Sequence, residues 1–159
     1  MTPDLYLRFA IDPALWLLPA AMRSVEARAL VLAIALQESK LIARRQIGGP
    51  ARGYPQFEVA GVSGVLRHEH SRAHAERLCE VLDVPPLVGS VHAALEYQDV
   101  LAAGFSRLLL WTLPSALPRE GQPELGYRQY LDAWRPGKPR PATWPEHWVT
   151  AWATVRATA

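Results

Sequence analysis

A glutamate at the end of a long apolar helix, followed by a glycine-rich loop, is a chemically useful pairing. Here the stretch ALQESKLIARRQIGGPARGYPQFE runs from Ala35 to Glu58. Upstream, Val25, Leu30, Leu32, Ile34 and Leu36 alternate with Ala27, Ala29, Ala33 and Ala35. A helix apolar on most sides is a buried one, and Glu38 and Ser39 fall at its C-terminal end. A carboxyl group held against apolar walls keeps its proton, because desolvation disfavours the charged form. Such a group can donate a proton to a glycosidic oxygen near neutral pH. Ile47 to Tyr54 holds three glycines and a proline in eight residues, which makes it loop. Glycine there lets backbone approach a sugar closely.

The neighbourhood also limits the reaction. No Asp or Glu occurs from Ser39 to Phe57, where Lys40, Arg44, Arg45 and Arg52 stand instead. A glycosidase that works with two carboxylates needs the second within roughly 5 to 10 Å of the first. The interval therefore favours chemistry with one glutamate, unless Asp99 or Glu58 folds back.

These residues resemble those of the lytic transglycosylases, relatives of goose-type lysozyme. That family carries a Glu-Ser pair at the end of a core helix, then a Gly-Ala-x-Gly-Leu-Met-Gln motif. Glu38-Ser39 matches the pair, and Ala51, Gly53 and Gln56 match the motif, with Tyr54 and Pro55 in place of Leu and Met. A later Ala-Tyr-Asn-x-Gly segment lines the family's sugar cleft. Ala133-Trp134-Arg135-Pro136-Gly137 is similar to it, with Trp for Tyr and Arg for Asn. The resemblance spans roughly residues 33 to 137. It implies a lysozyme-like helical fold and Glu38 as the catalytic acid and base. It implies substrate contacts at Ser39, Gly53, Tyr54, Gln56, Trp134 and Arg135. The substrate would be the glycan strand of peptidoglycan, cut at its MurNAc–GlcNAc β-1,4 bond without cofactor or metal. Glu38 would first protonate the leaving oxygen and then act as base towards the C6 hydroxyl, leaving a 1,6-anhydro end. Arg135 could grip a stem-peptide or lactyl carboxylate bidentately.

Plainer readings stand beside these. Glu38 could pair with Arg44 or Arg45, and Ser39 could satisfy a helix carbonyl. His68, Glu69, His70 and His74 lie close in sequence, but no HExxH arrangement exists, and a solvated face is the expectation. Trp111, Trp134, Trp144, Trp148 and Trp152 gather in the last third of the chain. Aromatic rings stack on sugars, yet core packing is their commoner use; Trp148 and Trp152 are expected in the core. Tyr127, Tyr130 and Trp134 suit either role. Arg44, Arg45 and Arg52 read as solvated surface. Cys79, the lone cysteine, excludes a disulfide framework and reads as a buried thiol.

Positioning Glu38 falls to helices. Asp12-Pro13 predicts an N-cap and a short helix to Leu18. Ser24 caps the long one. Helical spacing recurs within 55–66, over 71–82, 90–97 and 99–111, and over 123–134. Thr143-Trp-Pro-Glu146 reads as a capping box before a last helix carrying Trp148, Trp152 and Val155. No segment alternates with period two, so little or no sheet is expected. The 159 residues read as one all-α domain, 1–159, with Glu38 on the floor of an open groove walled by Gln56 and residues 133–137.

Composition sets the outer bounds. A net charge of +2 suits an anionic wall polymer and does not argue for nucleic acid. The longest apolar run, 29–36, is too short to span a bilayer. The N-terminal stretch lacks a basic n-region, so the chain reads as made in the cytoplasm without a signal peptide. Action in the periplasm or cell wall would then need release through a holin, or carriage on a bacteriophage particle among other phage structural proteins. A catalytically silent part of a phage tail, or a wall-binding module, is the competing expectation.

Overall fold

The computed structural model of the chain describes residues 1–158. Thr2 opens helix α1 (Pro3–Tyr6), its hydroxyl accepting from the Leu5 N–H at 3.3 Å. The chain does not pause at Asp12 as its sequence suggests. A π-helical turn (Leu7–Ile11) runs directly into α2 (Asp12–Leu17). Pro13 has no N–H to donate and its ring would crowd the carbonyl four residues back; a wider turn just before it relieves both problems. Asp12 is thus helical rather than an N-cap. Its carboxylate instead takes the Arg28 guanidinium bidentately, at 2.7 and 2.9 Å.

Ser24 does cap the central helix α3 (Val25–Ser39). Its backbone is extended and its hydroxyl accepts from the Ala27 N–H at 3.1 Å. Everything in α3 from Ala29 to Gln37 is buried, as its all-round apolar pattern requires. Lys40 and Leu41 are both left-handed (φ 51° and 56°), which stops the helix and leaves Glu38 in its final turn.

Residues 42–57 form the loop, and ion pairs fasten it. Arg44 binds Asp99 bidentately (2.9 and 2.6 Å), and Arg52 pairs with Glu96 at 3.0 Å while donating to the Pro50 and Ala51 carbonyls. These arginines are therefore latches, not solvated surface. Isolated antiparallel bridges join Arg45 to Arg52 and Arg52 to Phe57; no strand is formed among the described residues.

Four helices follow: α4 (Val59–Arg67), α5 (Arg72–Val81), α6 (Val88–Ala94) and α7 (Asp99–Trp111). The segments expected at 90–97 and 99–111 are separated by a turn rather than joined. Then come α8 (Pro123–Trp134), a 3₁₀ turn (Pro141–Thr143) and α9 (Trp144–Ala157). The capping box at Thr143 does not form: its hydroxyl donates to Gln37 Oε1 and to the Arg140 carbonyl instead. The fold is all-α. α9 lies along α3, and α7 packs beneath α1–α2 and α5 around one hydrophobic cluster. Cys79, Trp148 and Trp152 belong to it. Each large side chain so buried contributes about 1.5–3 kcal/mol before ordering entropy is subtracted. Among the described residues no helix is long and apolar enough to cross a membrane.

Candidate functional site

The end of α3, the start of α4 and the end of α8 converge on an open groove of about 490 Å³. Glu38 lines it from α3, Gln56 and Glu58 from the loop and helix start, and Asp132, Trp134 and Arg135 from α8. On α4, Ala60, Gly61 and Gly64 face the groove, and their small size keeps it open.

Glu38 is half-buried, and Tyr130 from α8 donates its hydroxyl to Oε1 at 2.5 Å. Burial pushes the Glu38 carboxyl above its usual pKa. The Tyr130 hydrogen bond and the Arg140 charge pull it back, Glu58 adds a smaller upward push, and the balance stays raised. Tyr130 is itself fixed: it is buried, and its ring stacks on Trp144 at 5.6 Å and 12°. Burial, then the nearby Glu38 charge, drives the Tyr130 phenol far up, so it remains a donor at all ordinary pH values. Arg140 donates to the Gln37 carbonyl and, at 3.4 Å, to that of Glu38. The carboxyl group is thus held in place, biased towards its protonated form and open to solvent on the groove side.

The structure brings some of the sequence-derived residues together and sets others apart. Gln56 lines the groove with a left-handed backbone (φ 52°), its amide donating to the Gly53 carbonyl at 2.7 Å. Trp134 presents part of its ring, braced by Phe57 at 5.4 Å and by a 2.8 Å bond from Nε1 to the Pro55 carbonyl. Arg135 is exposed and left-handed (φ 49°), ending α8 at the groove's edge. Non-glycine residues at positive φ are uncommon and gather where a site needs them. Gln56 and Arg135 line this groove, Lys40 and Leu41 directly follow Glu38 in the chain, and Asp83 stands apart from it.

Three expected contacts are corrected. Ser39 does not line the groove; its hydroxyl donates to the Ala35 carbonyl and accepts from the Leu41 N–H, both at 3.1 Å. Successive helix residues point about 100° apart, so the neighbour of Glu38 faces elsewhere. Tyr54 is in the core, edge-on to Tyr6 at 5.4 Å with the Arg44 guanidinium 4.5 Å above its ring. Gly53 touches no groove surface. At φ 71° a Cβ there would lie 2.7 Å from the Leu95 carbonyl oxygen, so it is a hinge that presents Gln56.

The carboxylate count is also corrected. Asp99 is committed to Arg44, and Arg44 is thereby unavailable to Glu38. Glu58 and Asp132, however, stand on the groove walls. Arg140 and Asp132 carried no sequence signal as site residues; Tyr130 was expected as a sugar-stacking or core ring, and its hydroxyl bond to Glu38 is what the sequence did not show. His68 also lines the groove. Comparison with protein-family models, curated proteins and solved structures finds no match to this chain.

Proposed function

We propose that the chain cleaves the MurNAc–GlcNAc β-1,4 bond of peptidoglycan, as a lytic transglycosylase with Glu38 as acid and then base. The observation that carries this reading is a carboxyl at the wall of an open groove, its pKa raised by burial and its position fixed by the Tyr130 hydroxyl. Glu38 protonates the bridging oxygen as the bond from the anomeric carbon breaks. The resulting carboxylate then takes the proton of the muramoyl C6 hydroxyl, whose oxygen closes on the anomeric carbon. Proton and electron pair balance, and Glu38 ends as it began. Trp134 offers a partly exposed ring to a sugar face, and Arg135 a guanidinium to a stem-peptide or lactyl carboxylate. Delivery through a phage lysis pore or on a phage particle belongs to the same reading.

Glu58 supports a second reading. A second carboxylate in the groove lining is the group that would activate water and turn the same groove into a hydrolase. One assay separates the two. Purified Gram-negative peptidoglycan is digested and the fragments are weighed by mass spectrometry. Anhydro ends are expected; reducing ends, lost in Glu58→Gln, would replace the transglycosylase with the hydrolase. Absence of any product, with Glu38→Gln indistinguishable from the parent, would leave a silent structural or wall-binding domain and end the enzymatic reading.

A further inference from the structure

A second cavity, of about 670 Å³, opens where α7 ends and the chain turns towards α8. Its unusual feature is Arg107. This side chain is 3 % exposed, yet no carboxylate lies within ion-pairing distance of it among the described residues. Its Nε donates to the Met22 carbonyl at 2.9 Å, and its guanidinium lies 4.9 Å from the centre of the Trp111 ring. Among the described residues no acceptor is found for either terminal nitrogen. Burial lowers the Arg107 pKa to about 10, which still leaves it cationic at neutral pH. Its terminal nitrogens are not sealed from solvent but belong to the cavity lining, and a guanidinium presents the Nη edge in the planar geometry that carboxylates match.

The walls describe the ligand further. Leu110, Leu113, Pro114 and Leu117 make one side apolar. Arg119 and His70 add cationic or neutral donors, and the capped N-terminus of α3, at Ser24, brings the positive end of a helix dipole. Glu26 is the acid that faces the cavity. A phosphate dianion would have to shed water against the leucines with no partner there. A carboxylate would meet the guanidinium with two oxygens and lay its apolar remainder on the leucines.

We propose that this cavity, which adjoins the Glu38 groove across Leu113, is a second binding site, for a carboxylate flanked by an apolar group, gripped by the terminal nitrogens of Arg107. The carboxylate could end a peptide or belong to a small organic acid. The inference does not depend on any activity at Glu38. The test is a titration of the full chain by nitrogen–proton NMR, following the Arg107 Nε–H and the Trp111 indole N–H. The probes are N-acetyl-leucinate, its uncharged amide, 4-methylpentanoate and inorganic phosphate. The acid should bind at least tenfold more tightly than the amide and than phosphate. Arg119→Ser should weaken it about threefold and Glu26→Gln should tighten it about threefold; both lie at the cavity rim and leave the buried packing untouched. Arg107→Lys, if folded, should lose at least tenfold. Preference for N-acetyl-leucinate over 4-methylpentanoate names a peptide end, and parity names a small acid; either supports the site. Equal binding of acid and amide, parity with phosphate, or no shift with any probe would overturn it.

Discussion

Removing the Tyr130 hydroxyl takes away a hydrogen bond that the charged form of Glu38 accepts better than its protonated form. Tyr130→Phe should therefore raise the already raised Glu38 pKa, moving the basic limb of the pH–rate profile to higher pH. An unmoved limb would show that the contact merely packs. Folding should lose no more than about 1 kcal/mol. Glu38→Gln tests the same balance through stability. The Glu38 pKa is raised above 4.5 in the fold, so its stabilising contribution is complete below that value and is lost as pH rises through the folded pKa. The amide keeps an acceptor for Tyr130 but carries no charge. The variant should thus melt higher than the parent at pH 7, the gap closing towards pH 4, while cleavage falls at least about a hundredfold. Scanning calorimetry at the two pH values, beside the digestion assay, checks both. At this scale the sequence was partly legible. Glu38 and Gln56 stood out because helix ends and glycine loops announce themselves locally. Tyr130 was legible as a ring for cleft or core but not as the partner of Glu38, since nothing in the periodicity of α8 says which of its faces meets a residue 92 positions away. Ser39 and Tyr54 misled because adjacency in sequence is not adjacency in a groove.

The elements show a similar division. Apolar spacing located α3, α5, α7 and α8 nearly to their observed ends, because a buried face imposes its period wherever the helix lies. Capping and proline signals fared less well at Asp12 and Thr143. In each case a distant partner, Arg28 or Gln37, captured the side chain that would have capped. The loop between α3 and α4 adds such distant contacts, Arg44 to Asp99 and Arg52 to Glu96, to its own local bridges. Gly53 is its tightest point, with a left-handed φ of 71° and the unyielding Leu95 carbonyl where a Cβ would sit. Gly53→Ala cannot be absorbed by a flexible side chain, because the obstruction is backbone. It should cost at least about 1–2 kcal/mol and shift Gln56 out of place. Urea unfolding measures the first effect. The second should appear as a loss of cleavage larger than the loss of folded protein accounts for. A Gly53→Ala protein as stable as the parent would mean that the loop is freer than its ion pairs to Asp99 and Glu96 imply.

Across the whole molecule the groove depends on how α9 and the 136–143 segment are pinned to α3. Gln37, fully buried beside Glu38, does the pinning. Its amide donates to the Arg140 carbonyl at 2.9 Å, and its oxygen accepts from the Thr143 hydroxyl at 3.1 Å and from His147 Nδ1 at 2.8 Å. Arg140, so placed, is the cation that moderates the Glu38 pKa. His147 makes this assembly sensitive to acid. Burial, outweighing the attraction of Glu146 and aided by Lys40 and Arg140, holds its pKa below the ordinary 6.5. The folded protein therefore keeps the imidazole neutral while the unfolded chain takes up a proton. The stabilisation is complete above about pH 6.5 and is lost as pH falls from there towards the folded pKa, at no more than about 1.4 kcal/mol per pH unit for one proton. The sign is opposite to that of Glu38, whose protonation favours the fold as pH falls. The two are separable: in a Glu38→Gln background, unfolding free energy should fall more steeply between pH 7 and pH 5. Adding His147→Gln should flatten that slope, while lowering stability at pH 7 by about 1–2 kcal/mol through the altered bond to Gln37. A slope that survives the loss of His147 would place the acid-sensitive group elsewhere in the molecule.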